Sequence, residues 1–91
     1  MIKFKYGPSG NVPIQSEGYF LGKYFYFRAR GERAYIEFAK DENHWDHNML
    51  ICRYTLARTK DHMAGWLPKW YCWYLIFKGF VWYIFKVEDD L

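Results

Sequence analysis

Apolar and polar residues alternate most cleanly in KYFYFRARGERAYIEFAK, residues 23–40. Two alternating runs flank Gly31-Glu32, and glycine at the first position of a two-residue loop is the signature of a type II′ hairpin turn. The pattern predicts an antiparallel hairpin with Arg30 opposite Arg33, Ala29 opposite Ala34, Arg28 opposite Tyr35, Phe27 opposite Ile36, Tyr26 opposite Glu37 and Phe25 opposite Phe38. Side chains alternate across a strand, so Phe25, Phe27, Ala29, Ala34, Ile36 and Phe38 point to the core. The other face presents Tyr24, Tyr26, Arg28, Arg30, Arg33, Tyr35 and Glu37.

NMLICRYTLAR, residues 48–58, reads as a further strand, with Leu50, Cys52, Tyr54 and Leu56 on one side and Met49, Ile51, Arg53 and Thr55 on the other. Both sides are partly apolar, which predicts a central place in the sheet. IKFKY alternates Ile2, Phe4 and Tyr6 with two lysines, as a half-exposed edge strand does. GPSGN reads as a turn, and Pro13 limits the following VPIQ to an edge strand or to none. The sum is a small α+β fold: an antiparallel sheet of about five strands with one short helix near 68–78 packed on a face.

That last segment leads into WYCWYLIFKGFVWYIFKV, residues 70–87, where nine of eighteen positions are Trp, Tyr or Phe. A membrane-spanning helix needs about 20 predominantly apolar residues, and Lys78 in the middle with Lys86 near the end weighs against one. Two soluble readings compete. In one, Pro68 opens a helix that Gly79 ends as a C′ residue, and Phe80 to Val87 returns as a strand. In the other the fold is all-β, with a hairpin over 70–87 turning at Lys78-Gly79; Lys-Gly is a poor two-residue turn, which favours the helix. Nine rings are more than one sheet face hides easily, so some of Trp70, Trp73, Trp82 and Tyr83 stay partly exposed as an interface, unless both sides of the run are buried.

Composition sharpens this picture. The 91 residues are 52% hydrophobic and 24% aromatic, enough to order the chain as one compact domain over 1–91. Net charge is +3, with ten Lys or Arg against six acids in residues 1–60 and three against four in 61–91. That surplus permits an acidic partner but is also ordinary for a solvated surface. MIKFKYGPSG lacks the apolar region and cleavage site of a signal peptide, which predicts a cytoplasmic protein. In a reducing cytosol Cys52 and Cys72 are expected as two buried thiols.

No constellation of catalytic residues stands out. His44, Asp46 and His47 cluster in NHWDHN, but His at i and i+3 needs helical geometry to converge, and Cys52, His62 and Cys72 lack a CxxC or HxxxH pair. Both cysteines lie in apolar runs where a thiolate is disfavoured. Asp41-Glu42 reads as a turn and Glu88-Asp89-Asp90 as a solvated tail, and there is no glycine-rich phosphate loop. A non-enzymatic protein without metal or cofactor is therefore expected.

Two binding functions remain. Arginine with tyrosine on one sheet face suits single-stranded nucleic acid, Arg28, Arg30, Arg33 and Arg53 contacting phosphates while Tyr24, Tyr26 and Tyr35 stack on bases. The same residue types, with Trp70 and Trp73, are those enriched at protein interface cores, and this second function is the one the sequence favours. It describes an adaptor or inhibitor that occupies a partner's surface, with a protein the expected partner, a homodimer a further option, and no membrane. Small viral or mobile-element inhibitors of a host defence or nucleic-acid enzyme fit the same size and lack of machinery.

Overall fold

A computed structural model of the chain describes every residue except Asn11 and His62. Five strands, β1 (Ile2–Ser9), β2 (Ile14–Phe20), β3 (Lys23–Arg30), β4 (Arg33–Ala39) and β5 (Leu50–Arg58), make one antiparallel meander in the order β1-β2-β3-β4-β5. Helix α1 (Glu42–Asp46) lies between β4 and β5, and a 3-10 turn at Ala64–Trp66 leads into α2 (Lys69–Ile84), which packs on one face of the sheet. The architecture is the small α+β fold that the alternating runs and the Pro68 helix start predict.

The β3–β4 hairpin has the predicted register at every pair from Phe25↔Phe38 to Arg30↔Arg33. Gly31 supplies the positive φ of 66° that the first loop position of a type II′ turn demands. All six residues assigned to the inner face are fully buried. Phe25 and Phe38 among them meet Phe80 of α2, whose ring stacks on Phe20 at 4.2 Å and lies edge-on to Phe25 at 5.0 Å.

Three local expectations need correction. VPIQ does contribute to a strand, and β2 is interior to the sheet. Pro13 lies just before the first ladder residue, Ile14, so its missing N–H costs no ladder bond. The GPSGN turn is shorter than expected, because Gly7, Pro8 and Ser9 remain in β1; Asn11 lies outside the described residues. β5 lies at an edge, with Cys52, Tyr54 and Leu56 buried against α2. Its outer backbone is blunted by the rest of the chain: Lys78 Nζ donates to the Leu56 carbonyl at 3.1 Å, and the Asp90 amide donates to that of Arg53 at 2.8 Å.

The largest correction concerns 80–87. No strand forms there, nor a hairpin over 70–87; the helix near 68–78 runs on through Gly79 to Ile84. Gly79 is the point of closest approach to the sheet, where an added Cβ would sit 2.8 Å from Ile36 Cγ2. The helix ends instead at Lys86, whose φ of 52° places it in the left-handed region. Lys86 N–H donates to Tyr83 O and Val87 N–H to Trp82 O, the paired bonds of a Schellman motif. Glycine is the usual residue at C′, and lysine there carries no sequence signal of a helix stop.

Candidate functional site

The two faces singled out by the sequence have different fates. On the outer side of the hairpin, Tyr24 is fully buried and Tyr26 nearly so, beneath the indole of Trp45 at ring separations of 5.5 and 4.7 Å. Helix α1 holds Trp45 there: Asp41 caps it by accepting the His44 amide at 2.8 Å, and His44 Nδ1 lies 2.7 Å from the same oxygen. Backbone and ring contacts with His44 lower the Asp41 pKa.

Glu37 ties this roof to the sheet. It accepts from Trp45 Nε1 at 3.0 Å and from Arg53, whose Nε and terminal nitrogen lie 2.8 and 2.6 Å away. Arg53 is thus part of an ion pair on the sheet surface. Burial beneath Trp45 leaves neither the Tyr24 nor the Tyr26 ring face open to a ligand, and it also raises both phenol pKa values. Trp45 was not among the expected functional residues. Its signal was an aromatic residue just after an Asp-started turn, beside a sheet face with two tyrosines to cover.

What remains open on this side is a row of arginines. Arg30 pairs with Arg33 in the ladder and Arg33 with Arg58, so three like charges stand side by side near the hairpin turn. Arg28 and Tyr35 are half-buried beside them, and Arg33 lies over the Tyr35 ring, 5.1 Å from its centroid.

The second face is the outward side of α2. Trp70 is 72% exposed, Tyr74 57% and Phe85 75%, and Trp66, Trp73, Phe77, Val81 and Ile84 are exposed with them. Trp73 keeps one edge on the sheet, where it meets Phe4 at 5.0 Å over Gly7, whose missing side chain makes room for the indole. Cys72, Leu75, Ile76, Gly79 and Phe80 form the buried face. The helix is therefore apolar on both sides, although only one side meets its own sheet.

An aromatic side chain carries roughly 150–250 Å², so the exposed fractions sum to a patch on the order of 800 Å², above the roughly 300–600 Å² typical of the largest patch on a monomer. The sequence identified Trp70 and Trp73 as part of this surface but missed Trp66, Tyr74, Phe77, Val81, Ile84 and Phe85. Apolar residues at 70, 74, 77, 81 and 84 carry the helical period that would have found them.

Two concavities adjoin this face. A shallow groove of about 290 Å³ lies among Tyr74, Phe77, Lys78, Val81 and Trp82, with the Lys78 ammonium 4.7 Å from the Trp82 centroid. A larger cleft of about 590 Å³ opens at the C-terminal end of the helix, where Ile51, Tyr54, Tyr83, Ile84 and Val87 form apolar walls and Glu88 and Asp89 line it with acid. Cys52 also lines this cleft, and burial pushes its thiol up to about 11; Cys72, under α2, is raised too. Both are free and protonated at neutral pH.

Among the described residues no three His, Cys, Asp or Glu side chains converge as a metal site would require, and His62 lies outside them. No helix among them is long and apolar enough to cross a membrane. No protein-family model, curated protein or solved structure matches this chain.

Proposed function

We propose that this protein is a non-enzymatic protein-binding module, an adaptor or inhibitor that acts by occupying a complementary protein surface with the outward face of α2. The observation that carries this is the continuous run of exposed Trp70, Tyr74, Phe77, Val81 and Ile84 on a helix already anchored by its opposite face. The buried face holds the helix in place before binding, so little backbone ordering opposes association. Trp and Tyr are also the residue types that dominate interface hot spots. Two unpaired, buried thiols suit a cytoplasmic setting where disulfides do not persist.

Single-stranded nucleic acid is the alternative, and the row of Arg30, Arg33 and Arg58 favours it as a phosphate-contacting edge. It has Tyr35 but not Tyr24 or Tyr26 for base stacking.

A tagged pull-down from lysate of the source organism, with and without nuclease, separates the two. Under the protein-binding proposal a partner survives nuclease and is lost from Trp70→Glu and Tyr74→Glu variants that keep wild-type circular dichroism. Capture that is indifferent to both substitutions overturns it. Recovery that vanishes with nuclease and with Arg30→Ala/Arg33→Ala transfers the function to nucleic acid.

A further inference from the structure

We propose that the occupant of the α2 face is a second copy of this chain, packed antiparallel about a twofold axis beside Phe77. This rests on the protein-binding reading above and names its partner.

The spacing along the helix is self-complementary. Trp70 and Ile84 each lie seven residues from Phe77, and Trp73 and Val81 each lie four away, all of them exposed. An antiparallel pair reverses this order, so Trp70 meets Ile84 of the second copy, Trp73 meets Val81, and Phe77 meets Phe77. A twofold interface requires a patch that matches itself in this way.

The surface also has the relief such a pair needs. Tyr74, Phe77, Lys78 and Val81 stand at i, i+3, i+4 and i+7, the four positions that bound a hole for a knob from a facing helix, and the groove of about 290 Å³ lies among them. Phe77 of the second copy is the side chain that the twofold delivers into it. At the far end, Trp70 reaches the mouth of the larger cleft beside Ile84.

Charge sets the direction. Lys86 at C′ offsets the C-terminal end of the α2 macrodipole, but no acidic residue stands in the first turn, so the N-terminal end lacks a compensating charge from the helix itself. Antiparallel packing brings each helix N-terminus toward the 86–89 segment of the other copy, where Glu88 and Asp89 outnumber Lys86. The same acidic segment opposes docking on an anionic lipid surface. The exposed fractions of Trp70, Trp73, Tyr74 and Phe77, with Val81 and Ile84, come to on the order of 500 Å², and flanking Trp66 and Phe85 bring the surface toward the roughly 800 Å² per partner of a stable standard-size interface.

The test is analytical ultracentrifugation of the full chain from low micromolar to submillimolar concentration, with the Phe77→Glu and Phe77→Cys variants alongside. The wild type should sediment as a dimer. Phe77→Glu, with an unchanged circular dichroism spectrum, should weaken self-association on the order of 100-fold, since two carboxylates would meet at the axis. Phe77→Cys should form an intermolecular disulfide under mild oxidation, and the native thiols, both buried, should not interfere.

A wild type that is monomeric throughout overturns the proposal, as does a dimer indifferent to Phe77→Glu or one that Phe77→Cys fails to cross-link. Monomers that co-sediment with phosphatidylcholine vesicles would assign the face to a membrane surface instead. If the monomer still captures another protein and Phe77→Glu abolishes that capture, the self-association proposal falls while the protein-binding function stands. If the wild type does not self-associate and capture is indifferent to Phe77→Glu, Trp70→Glu and Tyr74→Glu alike, both fall.

Discussion

Trp45 donates its indole N–H to Glu37 at 3.0 Å while its ring covers Tyr26 at 4.7 Å, so one side chain both roofs the outer sheet face and satisfies the acid beneath it. Trp45→Ala should lower stability by about 2 kcal/mol, less than a full core truncation because the indole is partly exposed. The Tyr26 phenol, raised by burial, should then titrate closer to its ordinary range. Chemical denaturation and ultraviolet pH titration of the variant check both outcomes. An unchanged tyrosine titration would mean that Trp45 does not shield the face.

Gly79 permits the close contact between α2 and Ile36. Alanine is the better helix former by about 1 kcal/mol, but its Cβ would press on a buried, branched side chain that cannot swing aside. Overpacking of this kind costs typically 1–3 kcal/mol, so Gly79→Ala should destabilise by about 1 kcal/mol net. Ile36→Ala removes both Cγ2 and Cδ1, so it should cost less in the Gly79→Ala background than in the wild type, which a double-mutant cycle in urea would reveal.

Lys86 occupies the left-handed position that ends α2. Glycine there removes the Cβ penalty while the Schellman bonds to Trp82 and Tyr83 persist. Lys86→Gly should raise stability by about 1 kcal/mol, read as a higher denaturation midpoint with an unchanged slope.

Alkaline pH should loosen the junction between β5 and the end of α2. Burial pushes the Cys52 thiol up to about 11 and the Tyr54 phenol to about 12, each above its value in an unfolded chain. Groups with raised values bind their protons more tightly when folded, so their contribution is intact below about pH 9 and is lost as pH rises through 11 and 12. Tyr54 donates to the Val87 carbonyl at 3.0 Å and lies 3.3 Å from that of Trp82, and ionisation removes this donor. Thermal melts between pH 8 and 12 should fall steeply in the upper half of that range, and Tyr54→Phe should flatten part of the drop.

The arginine row carries a cost of its own. Like charges directly opposite in a sheet destabilise, each cross-strand pair being worth roughly 0.2–1 kcal/mol. Arg30→Glu should therefore stabilise the protein by about 0.5 kcal/mol at low ionic strength, and the gain should fade in high salt. Equal stability at both ionic strengths would show that solvent already screens the row.

Elements whose signals are local were legible in the order of residues alone. Alternation around Gly31-Glu32 specified the central hairpin, its register and its buried face, because a two-residue loop leaves little freedom in pairing. Pro68 marked the start of α2, and the Lys3 and Lys5 alternation marked β1 as an edge.

Features that depend on a distant neighbour emerged only with the folded arrangement. Whether Gly79 stops a helix or lets it approach a sheet turns on Ile36, more than forty positions earlier in the chain. β5 has the two-sided apolar pattern of a central strand, yet it is an edge strand that Lys78 and the tail protect. Tyr24 and Tyr26 occupy the solvent side of an alternating strand and are buried because Trp45, from a later segment, folds over them. The aromatic run could not be divided into core and surface from composition, since a ring's chemistry is the same on either side of the helix. Only the position of the sheet selects which rings it buries and which it leaves for a partner.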